Sequence, residues 1–356
     1  LCLFAGLALV WFGRNMNWTE ASVVIRRADW GLIALAVVIV WLTYLIRAFR
    51  WKTLLAPLAP RASLREAFAA TTVGFSAIFL LGRAGEVVRP AFLPVRDRAV
   101  RPGAAFVTIA VERVCDTAAV ILLFAANLLV LRLPGVDRKA YELVREAGLI
   151  LLVCALVGLA ALFCFRRYAA ATTAWLEARL ERLPRVLRRV GQVVIGLFEQ
   201  LAQALGVLTD GRTLLATVGW TAALWAAVTV ANMLVLRAFG LSVGVSETVF
   251  VLGWSLIGSI VPTPGAGAGT FHAATAYGLM NYLGFPENDA KAAVIILHLV
   301  VFGSSLFFGL YYFLRSGFSV ARLRELISAE AAEAAAAAHV IRPPDEGEEV
   351  SGAARA

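Results

Sequence analysis

A chain of 356 residues with 60% hydrophobic and only 16% charged residues is not a soluble globule, in which about a quarter of residues are charged. Its apolar blocks approach the ~20 residues a helix needs to cross a bilayer core, so the length reads as roughly six to eight spans of one all-α, polytopic integral membrane bundle. The net charge of +9 is mostly Arg placed between apolar blocks, which the positive-inside rule explains more simply than a nucleic-acid partner.

In chain order, the opening run 1–13 is apolar but too short to span alone. It has no basic n-region and no small-x-small cleavage site, so it is expected to be a clipped or mis-started first transmembrane helix more than a secretory signal. Full spans are expected at 31–46, 103–131, 147–165, 214–236 and 292–314. Two blocks differ in kind. Block 64–81 runs into Gly82-Arg83-Ala84-Gly85-Glu86. Block 249–261 runs into Pro262-Thr263-Pro264-Gly265-Ala266-Gly267-Ala268-Gly269 and resumes over 270–283. Broken backbone at membrane depth is tolerated only inside protein or beside a water-filled cavity, so both are expected to be re-entrant hairpins, with full spans as the alternative.

Arg and Lys set the expected orientation. Loop 47–65 carries Arg47, Arg50, Lys52, Arg61 and Arg65, and segment 166–189 is rich in Arg, so both are expected on the cytoplasmic side with both termini. The segment 166–210 reads as a basic, partly amphipathic connector suited to an anionic leaflet. Arg47 and Arg237 are expected to snorkel at the interface. Glu66 and Glu247 are expected to sit at helix N-termini.

The two halves resemble each other. Leu45-Ile46-Arg47-Ala48-Phe49 matches Val235-Leu236-Arg237-Ala238-Phe239, and Ser63-Leu64-Arg65-Glu66 aligns with Gly244-Val245-Ser246-Glu247. A single transmembrane domain over 1–320 is therefore expected, with repeat one near 31–131 and repeat two near 214–314. Residues 321–356 are expected to form a partly disordered cytoplasmic tail. Inverted repeats with broken helices mark many secondary transporters.

Three constellations carry chemistry. In the first, Gly82 to Pro90, the glycines permit a tight turn, Arg83 and Arg89 can clamp a phosphate, and Glu86 can balance them or meet a cationic headgroup. In the second, Glu112, Arg113 and Asp116 lie inside the long span, with Asp116 about 20 Å along the helix. Such charges are costly against lipid and must line a cavity or pair within the protein. Glu112 and Asp116 share a face at i,i+4. In the third, Pro262 and Pro264 interrupt a helix while Gly265, Gly267 and Gly269 open backbone N–H groups toward an anion. His272 lies on the first turn of the helix that follows, and His298 lies mid-span in the last block. Cys2, Cys115, Cys154 and Cys164 fall in apolar stretches with no paired spacing, and neither a metal site nor a cofactor is expected. There is no nucleotide-binding or nucleophile-elbow motif.

Taken in order, Gly82-Arg83-Ala84-Gly85-Glu86 with Arg89-Pro90, Val111-Glu112-Arg113 with Asp116, and Pro262-Thr263-Pro264-Gly265 resemble the lysylphosphatidylglycerol synthase transmembrane family, a flippase-like group. The resemblance covers most of the chain, roughly 31–314. It implies an inner-membrane protein that moves lipids between leaflets, aminoacylated phosphatidylglycerol in the best-understood members. Two departures stand out. Bifunctional members carry an aminoacyl-transferase domain after the membrane part, whereas a short tail follows here, so lysyl transfer is not expected. The Pro-Gly motif is commonly followed by Glu, and here His272 stands in that neighbourhood, a poorer partner for a cationic headgroup.

The resulting expectation is a lipid transporter or flippase acting on an anionic phospholipid or lipid-linked substrate. Arg83, Arg89 and Arg113 would hold the phosphate, and Glu86, Glu112 and Asp116 would balance the charge. A membrane-embedded lipid-modifying enzyme and a non-catalytic scaffold of a lipid or glycan pathway are the alternatives.

Overall fold

The computed structural model describes residues 2–14, 16–131, 148–158, 210–261 and 263–317, with isolated positions 142, 145, 146, 160, 168, 175 and 325. For residues 2–5 and 83–84 it describes the backbone alone. The expected connector 166–210 and tail 321–356 thus lie almost wholly outside the described residues, as does Pro262.

All regular structure among the described residues is helical. Helices α1 (Cys2–Gly13) and α2 (Trp18–Arg27) precede α3 (Trp30–Leu55) and α4 (Leu64–Leu81). A 3-10 turn over Gly82–Val87 leads to α5 (Val88–Arg96) and the long α6 (Pro102–Val130). Then come α7 (Gly148–Gly158), α8 (Gly211–Ala238), α9 (Val245–Ile260), α10 (Thr270–Asn281), α11 (Glu287–Val301) and α12 (Leu306–Leu314). Five stretches are long and apolar enough to cross a membrane: α3, α4, α6, α8 and the combined Glu287–Leu314. The fold is a polytopic helical bundle. Block 64–81 is one helix that ends at Gly82, the expected break, and at 18 residues it is also long enough to span.

Local chemistry sets where these helices start. Asn17 accepts from the Thr19 and Glu20 N–H groups ahead of α2. Asp29 accepts from Gly31 and Leu32 N–H at 2.9 and 3.1 Å ahead of α3. Asp210 caps α8 through Thr213 N–H at 3.0 Å. Each cap satisfies a backbone donor with no partner inside the helix and stabilises by about 1 kcal/mol. Glu247 reaches back to the Gly244 N–H at 2.9 Å at the start of α9. Glu66, in the first turn of α4, instead accepts from Arg96 on α5, Nε at 2.8 Å and Nη2 at 3.3 Å.

The main core joins α3, α8 and α11. Ala36, Ala231, Ala292 and Ala293 are buried there. Residues this small let helix backbones approach closely, which is how helices associate where lipid gives no hydrophobic drive. Trp41 of α3 stacks on Phe307 and meets Phe308 edge-on, fastening α12 to the same side.

Helix α3 runs past its expected end at 46 to Leu55, carrying Arg47 and Arg50 into the interior instead of releasing them into a loop. Two causes are visible. Trp51, Leu54 and Leu55 continue the buried face, and both guanidiniums find carboxylates on α6. Arg237, aligned with Arg47 by the internal repeat, is exposed and bonds the Val243 carbonyl at 2.9 Å through Nε.

Each half contains a helix, a break and a second helix: α4, the 3-10 turn and α5; then α9, the loop around 261–269 and α10. The two breaks meet. Gly82 has φ +66°, and a Cβ there would lie 2.5 Å from the Thr263 carbonyl oxygen.

A buried guanidinium–carboxylate cluster beside a cavity

Three helices deliver the charges. On α3, Arg47 and Arg50 stand three residues apart and so share a face. On α6, Glu112, Arg113 and Asp116 occupy one turn, and Arg89 projects from the start of α5. Arg50 grips Asp116 with both terminal nitrogens, Nη1 to Oδ1 at 2.6 Å and Nη2 to Oδ2 at 3.0 Å. Its Nη2 also lies 3.1 Å from Glu112 Oε1, and its Nη1 donates to Thr221 Oγ1 of α8 at 3.1 Å. Arg89 Nη1 donates to Glu112 Oε1 at 2.5 Å, and its guanidinium lies over the Trp51 ring, 4.3 Å from the centroid. Arg113 Nη2 bridges Glu112 Oε1 at 3.1 Å and Asp116 Oδ2 at 2.9 Å. Arg47 completes the set with a longer approach to Asp116 Oδ2, 3.7 Å.

Four guanidiniums therefore surround two carboxylates. Arg50 and Glu112 are fully buried, whereas 43% of the Arg113 side chain is exposed. Glu112 and Arg50 are the inner lock, and Arg113 is the cluster's open face. A bidentate, hydrogen-bonded pair is the geometry in which buried charges best offset their desolvation.

That open face borders a cavity of about 520 Å³ with a mainly apolar wall, to which Arg47, Arg113, Asp116 and Thr117 contribute polar groups on one side and Ser259 and Thr263 on the other, beside Ala266 and Gly267. Glu86 also lines it. Arg47 lines a second, smaller cavity of about 120 Å³ as well, with Thr43, Tyr44, Asn232 and Ser255. Its Nε is buried and has no hydrogen-bond partner. A third hollow of about 700 Å³ lies between α6 and α8 and is almost wholly apolar. Trp225 of α8 borders all three.

Of the residues picked out from sequence, Arg89, Glu112, Arg113 and Asp116 come together in the cluster, and Glu86 and Gly267 reach the cavity wall. The Arg83 side chain and Pro262 lie outside what is described. Pro264, Gly265 and Gly269 shape the loop without lining the cavity. Gly265, Gly267 and Gly269 have φ of +73°, +86° and +87°, and Ala266 between them sits at +52°. His272 and His298 line neither of the cavities that Arg47 borders. They pack against each other with ring centroids 4.6 Å apart, enclosed by Phe12, Phe79, Phe271 and Phe302. His272 Nδ1 accepts the Gly269 N–H at 3.3 Å and so helps hold the loop.

Sequence reasoning placed Arg47 at the interface and Arg50 in a loop. The available signal was the helical period itself: Arg47, Arg50, Trp51 and Leu54 form one stripe that continues the apolar face of the span. Thr217, Thr221 and Trp225, four apart on α8, went unremarked for the same reason, since they look like ordinary span residues until α3 and α6 pack against them.

The family model described as "Lysylphosphatidylglycerol synthase TM region" matches residues 1–309. No curated protein matches the chain.

Proposed function

The chain belongs to the lysylphosphatidylglycerol synthase transmembrane-region family, and from that premise we propose that it is a lipid transporter of flippase type. It moves the polar headgroup of a phospholipid or related lipid across the membrane through the cavity bordered by Arg47, Arg113 and the 263–267 loop. The acyl chains stay in the surrounding apolar phase. One observation carries the proposal: a partly exposed guanidinium, Arg113, faces a headgroup-sized cavity from the middle of a spanning helix. A charge at that depth costs roughly 2.5–3.5 kcal/mol on insertion scales and is retained where it lines a cavity or a substrate path.

The two helix–break–helix units act as re-entrant hairpins of inverted repeats and meet at Gly82 and Thr263, with rocking of one repeat against the other as the motion. The Arg-rich segments lie at the cytoplasmic face of the inner membrane, and both termini are there. Transport is favoured over chemical modification of the lipid because Glu112 and Asp116 are each held by three guanidiniums and are poorly placed to act as a free acid or base.

The test is leaflet exchange of head-labelled lipids in proteoliposomes, comparing wild type with Arg113→Ala. Accelerated exchange of lipid unchanged in mass, lost in the variant, supports transport. A lipid product of altered mass would favour an enzyme, and neither exchange nor a product across a broad lipid panel would favour a scaffold.

A further inference from the structure

Resting on that transport reading, we infer that the headgroup the cavity takes is a net anion, a phosphate ester without a cationic substituent, and not an aminoacylated headgroup. Four guanidiniums against Glu112 and Asp116 leave an excess of two positive charges in the cluster, and Glu86 on the cavity wall lowers it to one. Guanidinium cannot relieve this by losing a proton at ordinary pH. In a site walled by apolar helices, an uncompensated positive charge favours an anion from solution or from a lipid.

The distribution of hydrogen-bonding capacity points the same way. Both carboxylates of the cluster are already committed: Asp116 to Arg50, Arg113 and Arg47, and Glu112 through Oε1 to Arg50, Arg89 and Arg113. The other Glu112 oxygen, Oε2, is sealed from solvent and does not open to the cavity. An ammonium entering here would find Arg47 and Arg113 ahead of any uncommitted cluster carboxylate. Donors, by contrast, are in surplus. Arg47 is nine-tenths buried, lines the cavity, and approaches Asp116 only at 3.7 Å, beyond hydrogen-bond reach. Arg113 presents its exposed portion to the same space. Two guanidiniums lining one space match the oxygens of a phosphate.

A phosphodiester headgroup with a neutral polar substituent and a phosphomonoester on a prenyl chain share this chemistry. Native mass spectrometry of the full-length protein separates them. The protein would be released from detergent in the presence of equimolar phosphatidylglycerol, phosphatidylethanolamine, lysyl-phosphatidylglycerol and a polyprenyl monophosphate.

The expected result is at least fivefold greater retention of one or both anionic lipids over phosphatidylethanolamine, and greater still over the lysyl ester. Preference for the diester or for the monoester identifies the source, and either supports the inference. Arg113→Gln should cut that preference severalfold, and Glu86→Gln should widen it. Because Arg113 is partly exposed, its variant is expected to fold, and Arg47→Gln gives a second reading of the same charge. Equal or tighter binding of the lysyl ester overturns the inference while leaving lipid transport standing. Retention of no lipid by wild type overturns both.

Discussion

Arg50 and Asp116 form a two-point hydrogen-bonded pair, at 2.6 and 3.0 Å, between α3 and α6 in a part of the bundle closed to solvent on the Arg50 side. The pair fixes the register of the two helices at one depth. Sliding either by a turn would leave a buried guanidinium and a buried carboxylate without each other.

Breaking that pair from one side should therefore be costly. Asp116→Ala leaves Arg50 buried beside fewer acceptors and is expected to destabilise by about 3–5 kcal/mol, as is Arg50→Ala. The double replacement Arg50→Met with Asp116→Leu should recover part of the loss, since neither member of the pair is then left without the other, while Arg47 still loses the carboxylate it approaches at 3.7 Å. Thermal unfolding in detergent reads all three. A double variant no more stable than the worse single would show that the pair is not the coupled unit described.

Arg113 should separate stability from transport. Its pairing is half exposed, so Arg113→Ala is expected to cost only about 1 kcal/mol of stability while leaflet exchange falls at least tenfold. Arg113→Lys keeps the charge but not the planar fork and should restore exchange in part. Loss of exchange in step with loss of folded protein would assign Arg113 a structural role instead.

Gly82 admits no side chain. Its φ of +66° is strained for any residue with a Cβ, and that Cβ would meet the Thr263 carbonyl at 2.5 Å. Gly82→Ala should destabilise by about 1–3 kcal/mol or push the two breaks apart. The melting temperature and cross-linking of a cysteine pair placed across the breaks would report either effect. An unchanged melting temperature with unchanged cross-linking would show that the contact is not tight.

Ala266 predicts the opposite sign. It holds φ +52° and ψ +44°, left-handed geometry that glycine adopts at no steric cost. Ala266→Gly is expected to be neutral or to stabilise by up to about 1 kcal/mol, the relieved strain being partly offset by the freer unfolded chain. A clear fall in melting temperature would mean that the Ala266 methyl, buried at the cavity wall, contributes packing that outweighs its backbone strain.

What was legible in the sequence follows from range. Apolar blocks and breaker residues are local, so α6, α8 and the break between α9 and α10 stand close to their expected places. Charges inside an apolar run are conspicuous, so Glu112, Arg113 and Asp116 announced themselves. Their partners did not. Arg47 and Arg50 follow a span, and a charge in that position looks the same whether it snorkels to the interface or turns inward. Only a carboxylate on a helix tens of residues away distinguishes the two outcomes. The nearness of His272 and His298 is tertiary in the same sense. Helix α4 is legible on the same local grounds: nothing in its 18 residues interrupts a helix, and the glycine turn follows directly after it.

The meeting of Gly82 with Thr263 has a consequence for how such a chain can change over generations. One side of that contact is a backbone carbonyl and the other is the absence of a side chain, so no substitution can tune the gap in small steps. A residue inserted into either break must be answered by a change in the other, although the two lie far apart in the chain. A change of length at one break is therefore felt at the other.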